Sequence, residues 1–174
     1  KERVPRQLVR RMYELLGRNM PHIAGGARDW DTDREFRKWR TEVFLGEGQS
    51  HTRHVLAVDG DRLRGFLSYT VQPGAPDVYL NELQVDTAGQ RSPATLRCVI
   101  RAFAEGIRAM PQKRILTYAN RANLRANLLA RKAGFQCIGE TDRGYRYRMA
   151  KGRFLRRFSP GHRYGRRSRE VDAD

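Results

Sequence analysis

The sequence predicts an α/β domain: a mixed, twisted sheet, parallel at its centre and antiparallel elsewhere, flanked by helices. Three observations carry this. Apolar residues recur at helical spacing over the first 45 residues and switch to strand-like runs from His54. Asp59-Gly60-Asp61 joins the first two runs as a tight hairpin turn. Two helical patterns then separate the third run from the fourth and the fourth from the fifth, as parallel crossovers require.

Taken in order, Val4, Leu8, Val9, Met12, Leu15 and Leu16 predict an amphipathic helix over about 4–17, closed by Gly17. Thr32-x-x-Glu35 reads as a capping box for a second helix, about 32–45, with Phe36, Trp39 and Val43 on one face. Such an aromatic stripe is usually core, with Trp30 or Trp39 open to partial exposure beside a site. Strands are expected at His54–Asp59, Arg62–Val71 and Val78–Asp86, with Pro73-Gly74-Ala75-Pro76 breaking the pattern between the last two. Ser92 as N-cap and Pro93 in the first turn open a long helix that buries Leu96, Val99, Ile100, Phe103, Ile107 and Met110 and stops by Pro111. Arg114–Tyr118 is a fourth strand. A helix over Asn123–Gly134 follows, its Leu124, Leu128 and Leu129 expected to face a core and Gly134 placed as a left-handed cap. Phe135–Glu140 and Tyr145–Met149 make a final strand pair.

The chain has 174 residues, enough for one domain with a real core over 1–150, followed by a basic extension over 151–174. No apolar run approaches the roughly 20 residues of a membrane helix, and Lys1–Arg11 is charged throughout with no apolar signal core. A cytoplasmic protein is the expectation. Cys98 and Cys137 fit no disulfide framework or metal spacing and read as reduced core thiols. His22, His51, His54 and His162 are scattered, so no metal is expected. The formal charge of +16 attracts polyanions: RNA, DNA, an anionic membrane or a phosphate-rich small molecule. In the extension, Phe154, Phe158 and Tyr164 interleave with arginines. It suits an RNA-binding arm, a solvated tail or a wrap around the domain.

Two stretches carry a family resemblance. Asn123, Ala126, Leu129, Gly134 and Phe135 resemble the closing motif of the GNAT N-acetyltransferase superfamily, roughly Asn-x-x-Ala-x-x-Leu-Tyr-x-x-x-Gly-Phe, with Ala130 in place of the tyrosine. Gln90-Arg91-Ser92-Pro93-Ala94-Thr95 is similar to that family's Gln/Arg-x-x-Gly-x-Gly/Ala pyrophosphate loop, with Pro93 and Thr95 replacing its small residues. The element order also matches that fold, minus a first strand. The resemblance covers about 54–150.

It implies acetyl-CoA, or another acyl-CoA, as co-substrate and a primary amine as acceptor. The strand Leu83-Gln84-Val85 would hold the pantetheine and its backbone would polarise the thioester. Gln90, Arg91, Ser92, Ala94 and Thr95 would meet the pyrophosphate at a helix start, where orphan N–H groups and the dipole favour anions. Proline at 93 removes one N–H donor. Asn123 and Ala126 would line the pantetheine arm, or Asn123 would simply cap its helix. Glu82, a carboxylate in a buried-looking strand, is the candidate base; solvent exposure or pairing with an arginine is the competing reading. Tyr118 would stand in for the missing tyrosine as proton donor, or be a sheet-edge residue. The two departures open a second class, a GNAT-like binding module for nucleic acid or protein. A third joins the two: an acetyltransferase whose amine is carried on RNA, such as an aminoacyl-tRNA. An oligomer is compatible with each.

Overall fold

The computed structural model describes residues 4–20, 33–45, 51–86 and 93–159. Helix α1 spans Arg6–Asn19, and α2 spans Asp33–Arg40 and runs on into a π-helical turn, Thr41–Leu45. Strands β1 (Thr52–Asp59), β2 (Arg62–Val71) and β3 (Asp77–Val85) form an antiparallel meander. Helix α3 (Pro93–Arg108) leads to β4 (Arg114–Asn120), and α4 (Leu124–Ala133) leads to β5 (Gln136–Thr141). Strand β6 (Gly144–Ala150) and helix α5 (Lys151–Phe158) complete the order. The sheet runs β1-β2-β3-β4-β6-β5; β3 and β4 are parallel and every other pair is antiparallel. The mixed sheet expected from the sequence is therefore present, and among the described residues no strand precedes β1.

Each sheet face has its own core. One face packs Leu67, Tyr69, Val78, Ile115 and Tyr147 against Val99, Phe103 and Ile107 of α3, and against Phe135 and Phe154. On the other, α1 and α2 bury Met12, Tyr13, Leu15, Phe36 and Trp39 over Leu63 and Phe66 of β2. Tyr13 sits between Phe36 and Trp39, with ring centroids 5.3 and 5.5 Å away. The aromatic stripe of α2 is thus core, as its spacing predicts. Trp30, Thr32 of the capping box, and Ser92 lie outside the described residues.

Three expectations are corrected. Helix α1 does not close at Gly17 but runs to Asn19, where the Met20 N–H bonds Leu16 O at 2.9 Å. Burial of Val9, Met12, Tyr13, Leu15 and Leu16 outweighs the roughly 1 kcal/mol that an interior glycine costs. The leucine stripe of α4 faces outward: Leu124 is 76% exposed, Leu128 54% and Leu129 36%. The buried residues are Asn127 and Ala130, with Ala126 and Ala133 packed beside them. Short side chains let the helix lie close to the sheet. Asn127 anchors it, donating to Asn120 O and Asn123 O at 2.8 Å and accepting from Tyr147 Oη at 2.9 Å. A satisfied buried amide of this kind holds a helix in one rotation about its axis, against a simple apolar pattern.

The cysteines are the third correction. Both Cys98 and Cys137 are exposed, one on the outer side of α3 and one on the edge strand β5. Of the readings of the extension, residues 151–158 take the wrap around the domain. They form α5, whose Phe154 is buried against Phe103 and Phe135. Lys151 Nζ reaches the carbonyls of Ile107, Arg108 and Met110, where a cation suits the end of α3. Residues 160–174 lie outside the described residues.

Candidate active site

Strands β3 and β4 are paired only from Asp77↔Arg114 to Leu80↔Thr117, yet β3 continues to Val85 and β4 to Asn120. Beyond that point the two strands part. Thr117 Oγ1 donates to Leu80 O at 3.0 Å as the last link across them. The sheet's centre therefore opens into a cleft, with Leu83, Gln84 and Val85 on one wall and Tyr118, Ala119 and Asn120 on the other.

Two helix starts frame this cleft. Helix α3 begins at Pro93, where a proline loses no helical hydrogen bond. Its first turn lies against the end of β3 because Gly65 of β2 has no side chain. A Cβ there would meet Gln84 O at 2.8 Å, Thr95 Cγ2 at 3.1 Å and Val85 Cγ1 at 3.2 Å. Ala94 is exposed and Thr95 half-buried at that turn. Gln90, Arg91 and Ser92 lie outside the described residues. On the other side, Asn123 caps α4: its Oδ1 accepts from Ala126 N at 2.9 Å. Gly134 closes the helix in the left-handed region, φ 92°. Ala130, the tyrosine position of the motif, is buried beneath the helix.

Glu82 stands two residues past the last β3–β4 pair. A bulge leaves Asn81 without a partner in β2, so Glu82 pairs with Ser68 while Leu80 pairs with Tyr69. That extra residue resets the alternation. Tyr79 and Glu82 consequently share one face, the face that α1 and α2 cover, while Leu80 and Leu83 turn to the other core. Glu82 Oε2 has no solvent contact and no hydrogen-bond partner among the described residues. Burial pushes its pKa up to about 7, and the Trp39 indole beside it pulls the other way. No arginine pairs with it among the described residues.

A polar row continues from Glu82 across the strands. Glu82 pairs in register with Ser68, and Ser68 with His54. His54 Nδ1 and Ser68 Oγ are 2.8 Å apart. Burial lowers the His54 pKa to about 4, so its ring is neutral near pH 7. Asn19 of α1 ties down the end of β3, donating to Gln84 Oε1 at 2.9 Å and Val85 O at 3.1 Å. The sequence reading missed Ser68 and His54. Register alone brings them together, and register depends on a bulge the sequence does not announce.

Tyr118 lies on the same face as Glu82 but on the far wall of the cleft. Its ring leans over Gly144 of β6, where a Cβ would come within 2.7 Å of Tyr118 Oη. Its hydroxyl thus rests beside β6 rather than over the gap. Among the described residues no group of three or more His, Cys, Asp or Glu is placed to hold a metal, and no helix is long and apolar enough to cross a membrane.

The fold matches many solved structures. One is a Desulfovibrio desulfuricans protein assigned to the GNAT family of acetyltransferases; it matches with a TM-score of 0.67 at 14% identity, over 87% of this chain and 97% of the other. The chain has the GNAT fold. The spermidine N-acetyltransferase of Vibrio cholerae, solved with CoA and spermine, has the same GNAT architecture, with a TM-score of 0.65 at 14% identity over 88% of this chain and 96% of that one. An aminoglycoside 6′-acetyltransferase of type Ii also matches, at 0.65 and 16% identity over 87% and 94%. No protein-family model and no curated protein sequence matches the chain. The likeness is therefore one of fold, not of overall sequence.

Proposed function

We propose that the protein is an acyl-CoA-dependent N-acyltransferase, most simply one that moves an acetyl group from acetyl-CoA to a primary amine. The observation that carries this reading is Glu82: a carboxylate with a buried oxygen and no charged partner among the described residues, at the mouth of the β3–β4 cleft. Two structures of similar fold, the Vibrio cholerae enzyme and PaiA N-acetyltransferase from Thermoplasma acidophilum, were solved with CoA.

In this reading the backbone of Leu83–Val85, freed from β4, bonds the pantetheine amides and polarises the thioester carbonyl. The start of α3, with Ala94, Thr95 and the preceding Gln90, Arg91 and Ser92, receives the pyrophosphate. Asn123 and Ala126 flank the arm on the opposite wall. Acetyl-CoA supplies an activated acyl group with a thiolate leaving group. Glu82 takes a proton from the acceptor's ammonium, and the neutral amine attacks the carbonyl directly. A base with a pKa near 7 suits this task at neutral pH. Tyr118 would protonate the departing sulfur only after turning from Gly144.

The test is thiol release from acetyl-CoA with a panel of polyamines, amino sugars and aminoacyl esters. The reading predicts turnover with at least one amine, rising with pH through about 7, and a loss of roughly 10²–10⁴-fold in Glu82→Gln. Turnover by Glu82→Gln at the wild-type rate across the pH range would remove Glu82 from the mechanism.

A further inference from the structure

The sheet face that bears Glu82 does not end at β3. Register places Tyr79 of β3 opposite Leu116 of β4, Leu116 opposite Arg148 of β6, and Arg148 opposite Gln136 of β5. One step along, Tyr118 stands opposite Arg146. These side chains share the face of Glu82, but neither α1 nor α2 packs over β4, β5 or β6 there. Tyr79 is 43% exposed and Tyr118 46%; Arg146, Arg148 and Gln136 are exposed too.

The charge on this face is unbalanced. Its acidic residue Asp77 is held by Arg114, through contacts of 2.6 and 3.1 Å. Arg146 and Arg148 have no ion-pair partner among the described residues. Two tyrosine rings and two unpaired guanidinium groups thus lie within about two strand spacings, roughly 10 Å, of one another and beside the cleft. Tyrosine rings on an open sheet stack bases, and guanidinium groups pair with phosphate in a bidentate fork. An anionic membrane would want a cluster of apolar residues to insert, and beside the tyrosines this surface offers half-buried Leu116 and one exposed residue, Ile138 at the β5 bulge.

We propose that this face binds a single-stranded polynucleotide and that the acceptor amine reaches Glu82 carried on it. The second half rests on the acyl-transfer reading; the binding surface does not. A single strand presents its bases to the rings and its phosphates to Arg146 and Arg148, and its end reaches the cleft past Tyr79, which precedes Glu82 by three residues on β3.

The test is fluorescence anisotropy of the full chain with a labelled single-stranded RNA 12-mer and the DNA of the same sequence. Vesicles of phosphatidylcholine with phosphatidylserine run in parallel. The expected result is salt-dependent binding of RNA or DNA. Arg146→Glu with Arg148→Glu should weaken it at least tenfold and lower the salt slope by about 1.4, for two lost phosphate contacts. Tyr79→Ala should weaken it with the slope unchanged. A charge-matched control on the helices of the opposite face, Arg101→Glu with Lys132→Glu, should change affinity less than threefold. Equal losses in the two double variants would overturn the proposal in favour of diffuse attraction. Tighter, Arg146- and Arg148-dependent binding to vesicles would overturn it in favour of a membrane. Titrating the same proteins with acetyl-CoA separates the two readings: polynucleotide binding without CoA binding refutes delivery to Glu82 and keeps the surface. CoA binding without polynucleotide binding refutes the surface and leaves the transfer reading standing.

Discussion

One face of the sheet is treated in two ways. Over β1–β3 it is roofed by α1 and α2, and beneath them Ser68 is buried while Glu82 and His54 are dry enough for their proton affinities to move. Over β4–β6–β5 neither helix covers it among the described residues, and the groups there, Tyr118, Arg146 and Arg148, keep ordinary surface exposure. The boundary between the halves is the cleft itself. Burial changes what a group can do to a proton; exposure leaves it only contacts to offer. The proposed chemistry sits under the roof, and the proposed recognition sits beside it.

The comparison can be broken most severely at Trp39. Trp39→Ala removes a buried indole from the roof and should cost roughly 3–5 kcal/mol of stability. It should also let water reach Glu82; losing the desolvation, the larger effect, outweighs losing the indole's pull, so the pKa comes down from about 7, read by the pH midpoint of turnover. An unchanged midpoint in folded Trp39→Ala would mean the roof does not set the pKa.

Glu82→Gln sharpens the same point in stability. Because folding raises this pKa from 4.5 to about 7, the folded state holds the proton more tightly, and stability falls as pH rises through that window. The wild type should lose up to about 3 kcal/mol there, while Glu82→Gln should not. The variant should therefore melt above the wild type at pH 8 and close to it at pH 4. Parallel melting curves at both pH values would contradict a buried carboxylate.

On the bare half the smaller effect is at Gly144. A Cβ there would lie 2.2 Å from the Ala119 carbonyl oxygen and collide with the Tyr118 ring. Gly144→Ala should cost roughly 1–3 kcal/mol, with the Glu82-dependent pH midpoint unmoved. A shifted midpoint would show that the two halves are coupled.

Much of the fold was legible because local signals agreed with one another. The Asp59-Gly60-Asp61 hairpin, Pro93 opening α3, and Gly134 closing α4 each state a backbone conformation in the residue itself. What failed was orientation. The outward Leu124, Leu128 and Leu129 carry the stronger apolar signal, yet Asn127 decides the rotation of α4 through bonds to Asn120, Asn123 and Tyr147, all distant information. Gly17 and the two cysteines failed for related reasons: tertiary packing, not residue type, set their surroundings. At the site, Glu82 could be singled out as a carboxylate in an apolar strand. Its neighbours Ser68 and His54 could not, because the bulge at Asn81 that aligns them leaves no mark in composition or period.

Calorimetric titration of the purified protein with acetyl-CoA and with CoA, at moderate salt, tests the central claim most directly. ATP and pyrophosphate serve as controls for the attraction of phosphate to a +16 chain. The β3–β4 cleft predicts saturable, roughly one-to-one binding selective for the CoA species, weakened when Thr95→Glu places a negative charge at the start of α3. Binding no tighter than the controls, and indifferent to Thr95→Glu, would contradict an acyl-CoA site in this cleft and with it the transferase reading.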